Sequence, residues 1–469
     1  MLMAKNRTIN FLYRWDKNNQ FESSVFLHNN ANNDTSKTGG KWIMLSCQDN
    51  QTLTRTGPGT PMGEVLRRYW IPALMAEELP FRDCPPVRVK LLHEELIAFR
   101  DTDGKIGLVD EYCPHRKVSL FYGRNEQCGL RCAYHGWKFD IDGNCVDLPS
   151  EPPESNFKNK IKIKSYPCEE RGGVIWTYMG PPEHKPELPV QEWMMVSDSQ
   201  RYISKKIQEC NYFQALEGGI DSSHVSILHS GSVGGLGVSS KSSSTSLLAK
   251  DSAPRFEVAD TDYGLLIGAR RTADDDHFYW RITQFIMPWY TMIPPFGGAP
   301  RGGHAWVPID DENCWVWSWS WTPGRDLTEQ EIEQMKSGAG IHAKLIPGTF
   351  RTVANKENSF LIDREMQKRG ESFAGIFGVG MEDHAVQVSA GPIVDRSQES
   401  LGTSDTAIIK ARRCLLNAVN TINKGEQLPG LDPESHKVRA ASILLPKGIP
   451  FQEGAKDALK LTEKDFEAV

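Results

Sequence analysis

Two short loops constrain this chain more than any other feature of its 469 residues. Cys113-Pro114-His115 is followed, after sixteen residues, by Cys132-Ala133-Tyr134-His135, so each loop offers one thiol and one imidazole. A zinc finger groups its cysteines at one end and its histidines at the other. Here the two alternate. That suits a two-iron, two-sulfide cluster with both thiolates on one iron and both imidazoles on the other, because each loop must then reach both metals. With 10 Cys and 12 His in the chain, composition alone would give four such preassigned matches on the order of 10⁻⁴ times. Zinc, which accepts the same donors, is the rival. Pro114 and Gly136-Trp137 fit tight loops that shield a cluster, while Cys128 and Cys145 stand outside the pattern.

The remaining composition sets limits. Net charge is −6, so the total does not supply the basic surface that nucleic acid demands. No run approaches the ~18 apolar residues of a membrane-spanning helix. Ten cysteines, four of them within 33 residues, are far from a disulfide framework. A reducing cytoplasm is the expectation, with metal rather than disulfides at the cluster of Cys and His. Met1–Gly40 has no apolar signal core. Residues 1–43, rich in Asn, Ser, Lys and Thr, are expected to be a disordered or non-native extension, with Met44 as the functional start.

Downstream, Thr60 and Pro61 read as the N-cap and first position of a helix running to Trp70. Val87–Leu92, Leu96–Arg100 and Ile106–Val109 read as strands, the last two joined at Asp103-Gly104. Lys138–Asp140 and Cys145-Val146 repeat the device around Asp142-Gly143, and Val174–Tyr178 is a further strand. Residues 44–185 are thus expected as a small all-β domain holding the cysteine cluster. Residues 186–440 are expected as a mixed domain of antiparallel sheet covered by helices, and 441–469 as a tail; the fold class is α+β. Gln208–Leu228 has helical character, as do Thr328–Ser337 and Ser404–Asn423. Phe278–Tyr290 and Cys314–Trp321 read as strands, and period two puts Trp315, Trp317, Trp319 and Trp321 on one face, packed against helices.

A second constellation lies at Asp221-Ser222-Ser223-His224 and His229. Two histidines with a carboxylate suit the 2-His-1-carboxylate triad of Fe(II) oxygenases, which leaves positions open for O₂ and substrate. Five residues is about 140° on an α-helix, so a straight helix would splay His224 and His229. The helix is therefore expected to end or bulge near Ser226–Leu228. Asp221 and His224, at i and i+3, would share a face.

With both constellations, the chain resembles a Rieske non-haem iron oxygenase, the large (α) subunit of the aromatic ring-hydroxylating family. The likeness runs from Met44 to about Asn423 and is strongest to the branch of phthalate 4,5-dioxygenase and phenoxybenzoate dioxygenase. Segments that carry it are Asp110–Arg116, Asn211–Gly218 and Gly391–Arg396. The resemblance implies that Cys113, His115, Cys132 and His135 hold the [2Fe–2S] cluster, and that His224 and His229 hold a mononuclear iron. It implies an Asp far downstream as third iron ligand; Asp383 is the best match, with Glu382 and Asp363 as competitors. Asp221 would not bind iron but would bridge a cluster histidine of one subunit and an iron histidine of the next, which implies a homotrimer or stacked trimers. Other branches carry an Asn four residues before this Asp; here that position is Glu217. Asn211, further back, is kept as a catalytic candidate beside Asp221.

The family's cycle is then the expectation. A separate NAD(P)H-dependent reductase delivers single electrons to the cluster, and the iron site inserts oxygen from O₂ into a bound aromatic ring. Arg281 is the candidate anchor for a substrate carboxylate, as Arg can grip one bidentately; Arg270 and Arg271 are weaker candidates. No second basic anchor is evident in the sequence, which favours a monocarboxylated or merely aromatic substrate over phthalate. A Rieske monooxygenase or O-demethylase is the alternative, and a Rieske electron-transfer protein a distant one.

Overall fold

The computed structural model describes residues 45–152, 154–231 and 243–461, so the expectation for 1–43 lies outside the described residues. The described residues open with the helix Cys47–Thr54, whose first turn is capped by Ser46 Oγ accepting from Asp49 N at 3.0 Å. Thr60 caps the helix Pro61–Leu66, with Pro61 at its start as the sequence suggests. This helix stops at Leu66, short of the expected Trp70, because Trp70 already opens the strand Trp70–Met75.

Three small antiparallel sheets follow. Val87–Leu91, Glu94–Arg100, Ile106–Asp110 and Ser165–Tyr166 form one; Arg124–Asn125, Leu130–Arg131, Lys138–Phe139 and Cys145–Asp147 form the second. In the third, Val174–Tyr178 lies between Trp70–Met75 and Cys168–Arg171. The Asp142-Gly143 turn shows how these hairpins close. Asp140 Oδ1 accepts from the amides of Asp142 and Asn144, and Gly143 takes φ 78°, with Ile163 O 2.2 Å from where a Cβ would sit. Only glycine fits there. Between the first two sheets lies a core of its own, built from Ile97, Phe99, Val109, Leu120, Leu130 and Phe139, directly under Cys113 and Cys132. The third sheet instead shares one core with the downstream half, from Trp70 and Trp176 through Trp193 and Tyr212 to Trp319 and Leu415.

The larger sheet is antiparallel, in the order Arg201–Gln208, Cys314–Trp321, Arg301–Pro308, Tyr290–Ile293, His277–Ile286, Gly264–Thr272, Arg255–Asp260. An eighth strand, Ala441–Pro446, pairs with His277–Ile282. Residues expected to begin a tail are therefore part of the sheet: Ala441 and Leu445 are buried beside Ile282 and Phe451. Trp317, Trp319 and Trp321 are buried on one face of their strand, and Trp319 stacks on Trp193 at 4.6 Å. Period two then turns Val316 and Ser320 to the opposite face, where they line a cavity. Helices Tyr212–Ile220, Glu329–Ser337, Val379–Ser389 and Thr406–Asn423 complete the layer scheme. The last buries Ala407, Ala411, Leu415 and Ala418, spaced at the helical period. Glu217 is buried between Arg396 and Arg412, which ties the Tyr212–Ile220 helix to the Thr406–Asn423 helix. Among the described residues no helix is long and apolar enough to cross a membrane.

Candidate metal centres

The two cysteine loops are built alike. Cys113 N donates to Val118 O and Cys113 O accepts from Lys117 N; Cys132 N donates to Trp137 O and Cys132 O accepts from Gly136 N. In each loop the residue four after the cysteine has positive φ, 56° at Lys117 and 74° at Gly136. The thiols are thus held at equal places in equivalent turns and face each other, buried over the small core. The hydrogen bond between them pulls the Cys132 thiol down, against the effect of burial, and pushes that of Cys113 up.

The imidazoles lie on the outer side. Rings of His115 and His135 are 4.4 Å apart and steeply inclined, and Trp137 stacks on His115 at 4.5 Å. His135 Nδ1 is buried and has no hydrogen-bond partner among the described residues. An orphaned buried nitrogen beside two facing thiols is costly unless something else binds it. A [2Fe–2S] cluster fits this donor set.

The second site begins where the Tyr212–Ile220 helix ends. Asp221 caps it, and a 3₁₀ turn follows over His224–Ser226. The helix thus stops at Ile220, well before the expected Leu228. A turn, not a shared helical face, brings Asp221 and His224 together: Ser223 N donates to Asp221 Oδ1 at 2.7 Å, and His224 Nδ1 lies 3.3 Å from Asp221 Oδ2. Gly218 and Gly219 allow this helix to lie close to its neighbours. A Cβ on them would stand 2.2 Å from the Gln387 amide and 2.1 Å from the Trp306 ring.

His224 Nε2 and His229 Nε2 are 3.1 Å apart, and Asp383 Oδ1 lies 3.4 Å from the first and 3.2 Å from the second. Metal–ligand bonds of about 2.1 Å separate two donors by about 3.0 Å at right angles and about 3.4 Å at tetrahedral ones. The triangle falls in that window and fits a single ion. Each imidazole is oriented from behind by a carboxylate: Asp221 at His224 Nδ1, and Glu382 Oε2 at His229 Nδ1, 2.7 Å away. A proton on each Nδ1 leaves both Nε2 lone pairs aimed at one point. Burial opposes charge here, yet Asp221 and Asp383 raise His224 to about 10, and Asp383 raises His229 as well. The same imidazoles hold Asp383 far below the carboxylate range despite burial. These carboxylates attract positive charge to the site strongly.

Of the three acids weighed for this position, Asp383 alone reaches both imidazoles. Glu382 is fully buried behind His229 and also accepts from Ser372 Oγ at 2.8 Å. Asp363 is exposed and caps the helix Arg364–Lys368. Asn211 is a correction. It caps the Tyr212–Ile220 helix, its carbonyl accepting from Phe213 N and its amide donating to Thr54 O and Asp311 O. Every polar atom is used in tying elements together, and the side chain lies outside the cavity.

A cavity of about 170 Å³ opens beside the histidines, between the large sheet and the Asp383 helix. The structure separates the three arginines. Arg270 is a partly exposed partner of Glu257 at 3.3 Å. Arg271 is fully buried and props the iron-side loop, donating to Ser222 O at 2.8 Å and Ser226 Oγ at 3.2 Å. Arg281 lines the cavity, 2% exposed, with its guanidinium 4.3 Å from the Phe296 ring centre. It donates one bond, to Pro294 O, and its Nε and Nη1 have no partner among the described residues.

Sequence reasoning missed other polar groups of the cavity wall. Lys206 is buried there, donating to Gly380 O at 2.9 Å, and burial lowers its ammonium to about 8. His304 and His342 stand beside it, and burial lowers them to about 4 and about 3. Single polar residues carry no spacing signal: strand alternation alone could have pointed to Lys206 and His304, and nothing local to His342, which lies outside the strands.

Comparison with known proteins gives two family matches: a Rieske [2Fe-2S] domain over residues 69–167, and a "LigXa C-terminal domain like" family over residues 177–460. The chain is 38% identical to the phthalate 4,5-dioxygenase oxygenase subunit of Pseudomonas putida, over 90% of this chain and 99% of that protein. It is 37% identical to the 3-chlorobenzoate-3,4-dioxygenase oxygenase subunit of Comamonas testosteroni, over 87% and 97%. It is 31% identical to the 5,5'-dehydrodivanillate O-demethylase oxygenase subunit of a Sphingobium strain, over 91% of each. Among solved structures, dicamba monooxygenase bound to 3,6-dichlorosalicylic acid superposes with a TM-score of 0.52 at 18% identity, over 76% of this chain and 98% of that one, a likeness of fold.

Proposed function

The chain belongs to the Rieske non-haem iron ring-hydroxylating oxygenases, as an oxygenase subunit of a multicomponent system, and from that premise we propose how its own residues divide the work. Cys113, Cys132, His115 and His135 hold the cluster, and His224, His229 and Asp383 hold the mononuclear iron. The observation that carries the second assignment is the triangle of donor atoms with edges of 3.1, 3.2 and 3.4 Å, backed by two carboxylates. When bound, the cluster supplies one-electron transfer and the iron activates O₂.

Around those groups the chain orients and excludes. Glu382 keeps the His229 proton on Nδ1, and Asp221 does the same for His224. Arg281 offers Nε and Nη1 to a carboxylate on an aromatic ring, in a cavity walled by Phe296 and Trp306. A guanidinium buried without an acid beside it is poised for an anion. The substrate is therefore a carboxylated aromatic compound, and dioxygenation is favoured. O-demethylation or monooxygenation is the alternative, supported by the similarity to an O-demethylase subunit.

Asp221, still partly exposed behind His224, and the exposed imidazole side of the cluster loops support a homotrimer in which electrons pass between subunits. Tyr112, Phe121, Tyr122 and Tyr134 are exposed around the cluster loops, and Ile227, Phe373, Phe377 and Val386 on the segments that carry the iron site. Two distinct apolar patches on one chain suit a head-to-tail contact that closes into a ring. The partners are an NAD(P)H-dependent reductase and copies of this chain. None of the ten cysteines is in a disulfide, which supports a reducing cytoplasm.

Product analysis tests the reading: purified protein, reductase, NADH and a panel of substituted benzoates should give oxygenated products with consumption of O₂. A colourless protein with two zinc ions and no labile sulfide would end it.

A further inference from the structure

His304 lies on the strand Arg301–Pro308 with only 7% of its surface exposed, and it lines the same cavity as Arg281. Its Nδ1 is 3.2 Å from the backbone oxygen of Trp317 and 3.0 Å from Ser318 Oγ. A carbonyl oxygen can only accept, so this contact requires the proton on Nδ1. Ser318 agrees: its hydroxyl is spent on Ile341 O at 3.3 Å, leaving its oxygen to accept. Burial, with the charge of Lys206 nearby, keeps the ring neutral. The remaining nitrogen, Nε2, is then a lone pair. It makes no hydrogen bond to any described residue.

We propose that His304 Nε2 is a specificity determinant that accepts a hydrogen bond from a donor on the substrate ring, so that the preferred substrate is a hydroxylated benzoate. This rests on the reading of Arg281 as the carboxylate anchor and refines it. Arg281 offers donors without acceptors, and His304 Nε2 offers an acceptor without a donor among the described residues. A methoxy group in that place has no proton to give and would be disfavoured. A phenolic hydroxyl satisfies it. The neighbouring imidazole of His342 cannot play this part, because its two nitrogens are taken by Ser204 Oγ at 2.7 Å and Ser320 Oγ at 3.0 Å.

The test is a binding series on the iron-loaded, reduced protein, using benzoate, the three hydroxybenzoates and their methoxy counterparts. A hydrogen bond to a buried acceptor is worth about tenfold in affinity. One hydroxybenzoate should therefore bind about tenfold tighter than its methoxy counterpart. In His304→Leu that ratio should fall towards one, whatever happens to affinity as a whole. His304→Gln, whose amide oxygen can accept, should restore part of it. The cluster absorbance and iron content of each variant confirm that the site is intact. An unchanged ratio in His304→Leu, or a wild-type ratio near one, overturns the role of His304 while leaving the carboxylate reading in place. Failure of every benzoate to bind wild type would overturn the carboxylate reading and the proposal with it.

Discussion

Glu382→Gln isolates what holds His229 in register. The Glu382 carboxylate has no exposure, and both His229 Nδ1–H at 2.7 Å and Ser372 O–H at 2.8 Å donate to it. Glutamine has nearly the same shape but only one oxygen. Whichever way the amide turns, one of the two donors faces an N–H instead. If the oxygen faces Ser372, the imidazole loses its acceptor and the other tautomer, with Nε2 protonated, becomes competitive; a protonated Nε2 cannot bind metal. If it faces His229, Ser372 can turn only to Ile376 O, 3.5 Å away, and the charge assistance to the imidazole is gone. A hydrogen bond to a charged group is worth about 1.5–3 kcal/mol, and outer partners of ligating histidines typically account for about 10–100-fold in metal affinity. The two figures agree. Competition between the apoprotein and a colorimetric Fe(II) chelator should show mononuclear iron held about 10–100-fold more weakly, with the cluster absorbance unchanged. Iron affinity within about threefold of wild type would refute the reasoning, since Glu382 would then be an ordinary buried acid.

Further expectations follow from the same geometry. Asp383→Ala removes one corner of the donor triangle and should abolish mononuclear iron binding while leaving labile sulfide and two cluster irons per chain, read by metal analysis. Asp221→Asn should leave both kinds of iron in place but suppress product formation in a single turnover of the pre-reduced protein. Glu217→Ala leaves the buried Arg396 without a carboxylate and Arg412 with Glu399 alone, and should cost about 3–5 kcal/mol in urea unfolding. Glu331 is held down to about 2, chiefly by Arg325, with the Thr328 cap contributing. Its folded pKa lies below the unfolded value, so its contribution is present above about pH 4.5 and lost as pH falls through 2. The melting-point gap between wild type and Glu331→Gln should thus narrow from pH 6 to pH 3.

What the sequence disclosed depended on whether a function left a local spacing. The C-x-H and C-x-x-H loops were legible because both ligands of each must sit in one tight turn, and the fold realises them as two equivalent turns. His224 and His229 were legible for the same reason. The helix boundary was misplaced because a helix carried on to Ser226–Leu228 was the simplest way to place both histidines, whereas the chain leaves the helix at Asp221, whose side chain sets the turn that carries His224. Asp383 and Glu382 could not be ranked from composition, since adjacent helical positions differ by about 100° and only the packed helix decides which one faces the imidazoles. Asn211 misled because a polar side chain in a suggestive segment looks the same whether it caps a helix or meets a substrate. Ala441–Pro446 hid its role altogether, as its partner strand lies far back in the chain.

Under the proposed function, electrons cross from the cluster of one subunit to the iron of another. Complementation tests it most directly. Chains carrying Cys132→Ser, without a cluster, and chains carrying His224→Ala, without the iron, should each be inactive as homo-oligomers. Co-expressed and purified together as mixed oligomers, they should recover a substantial fraction of wild-type product formation, because an intact cluster then adjoins an intact iron across an interface. Mixed oligomers as inactive as either parent would contradict the account.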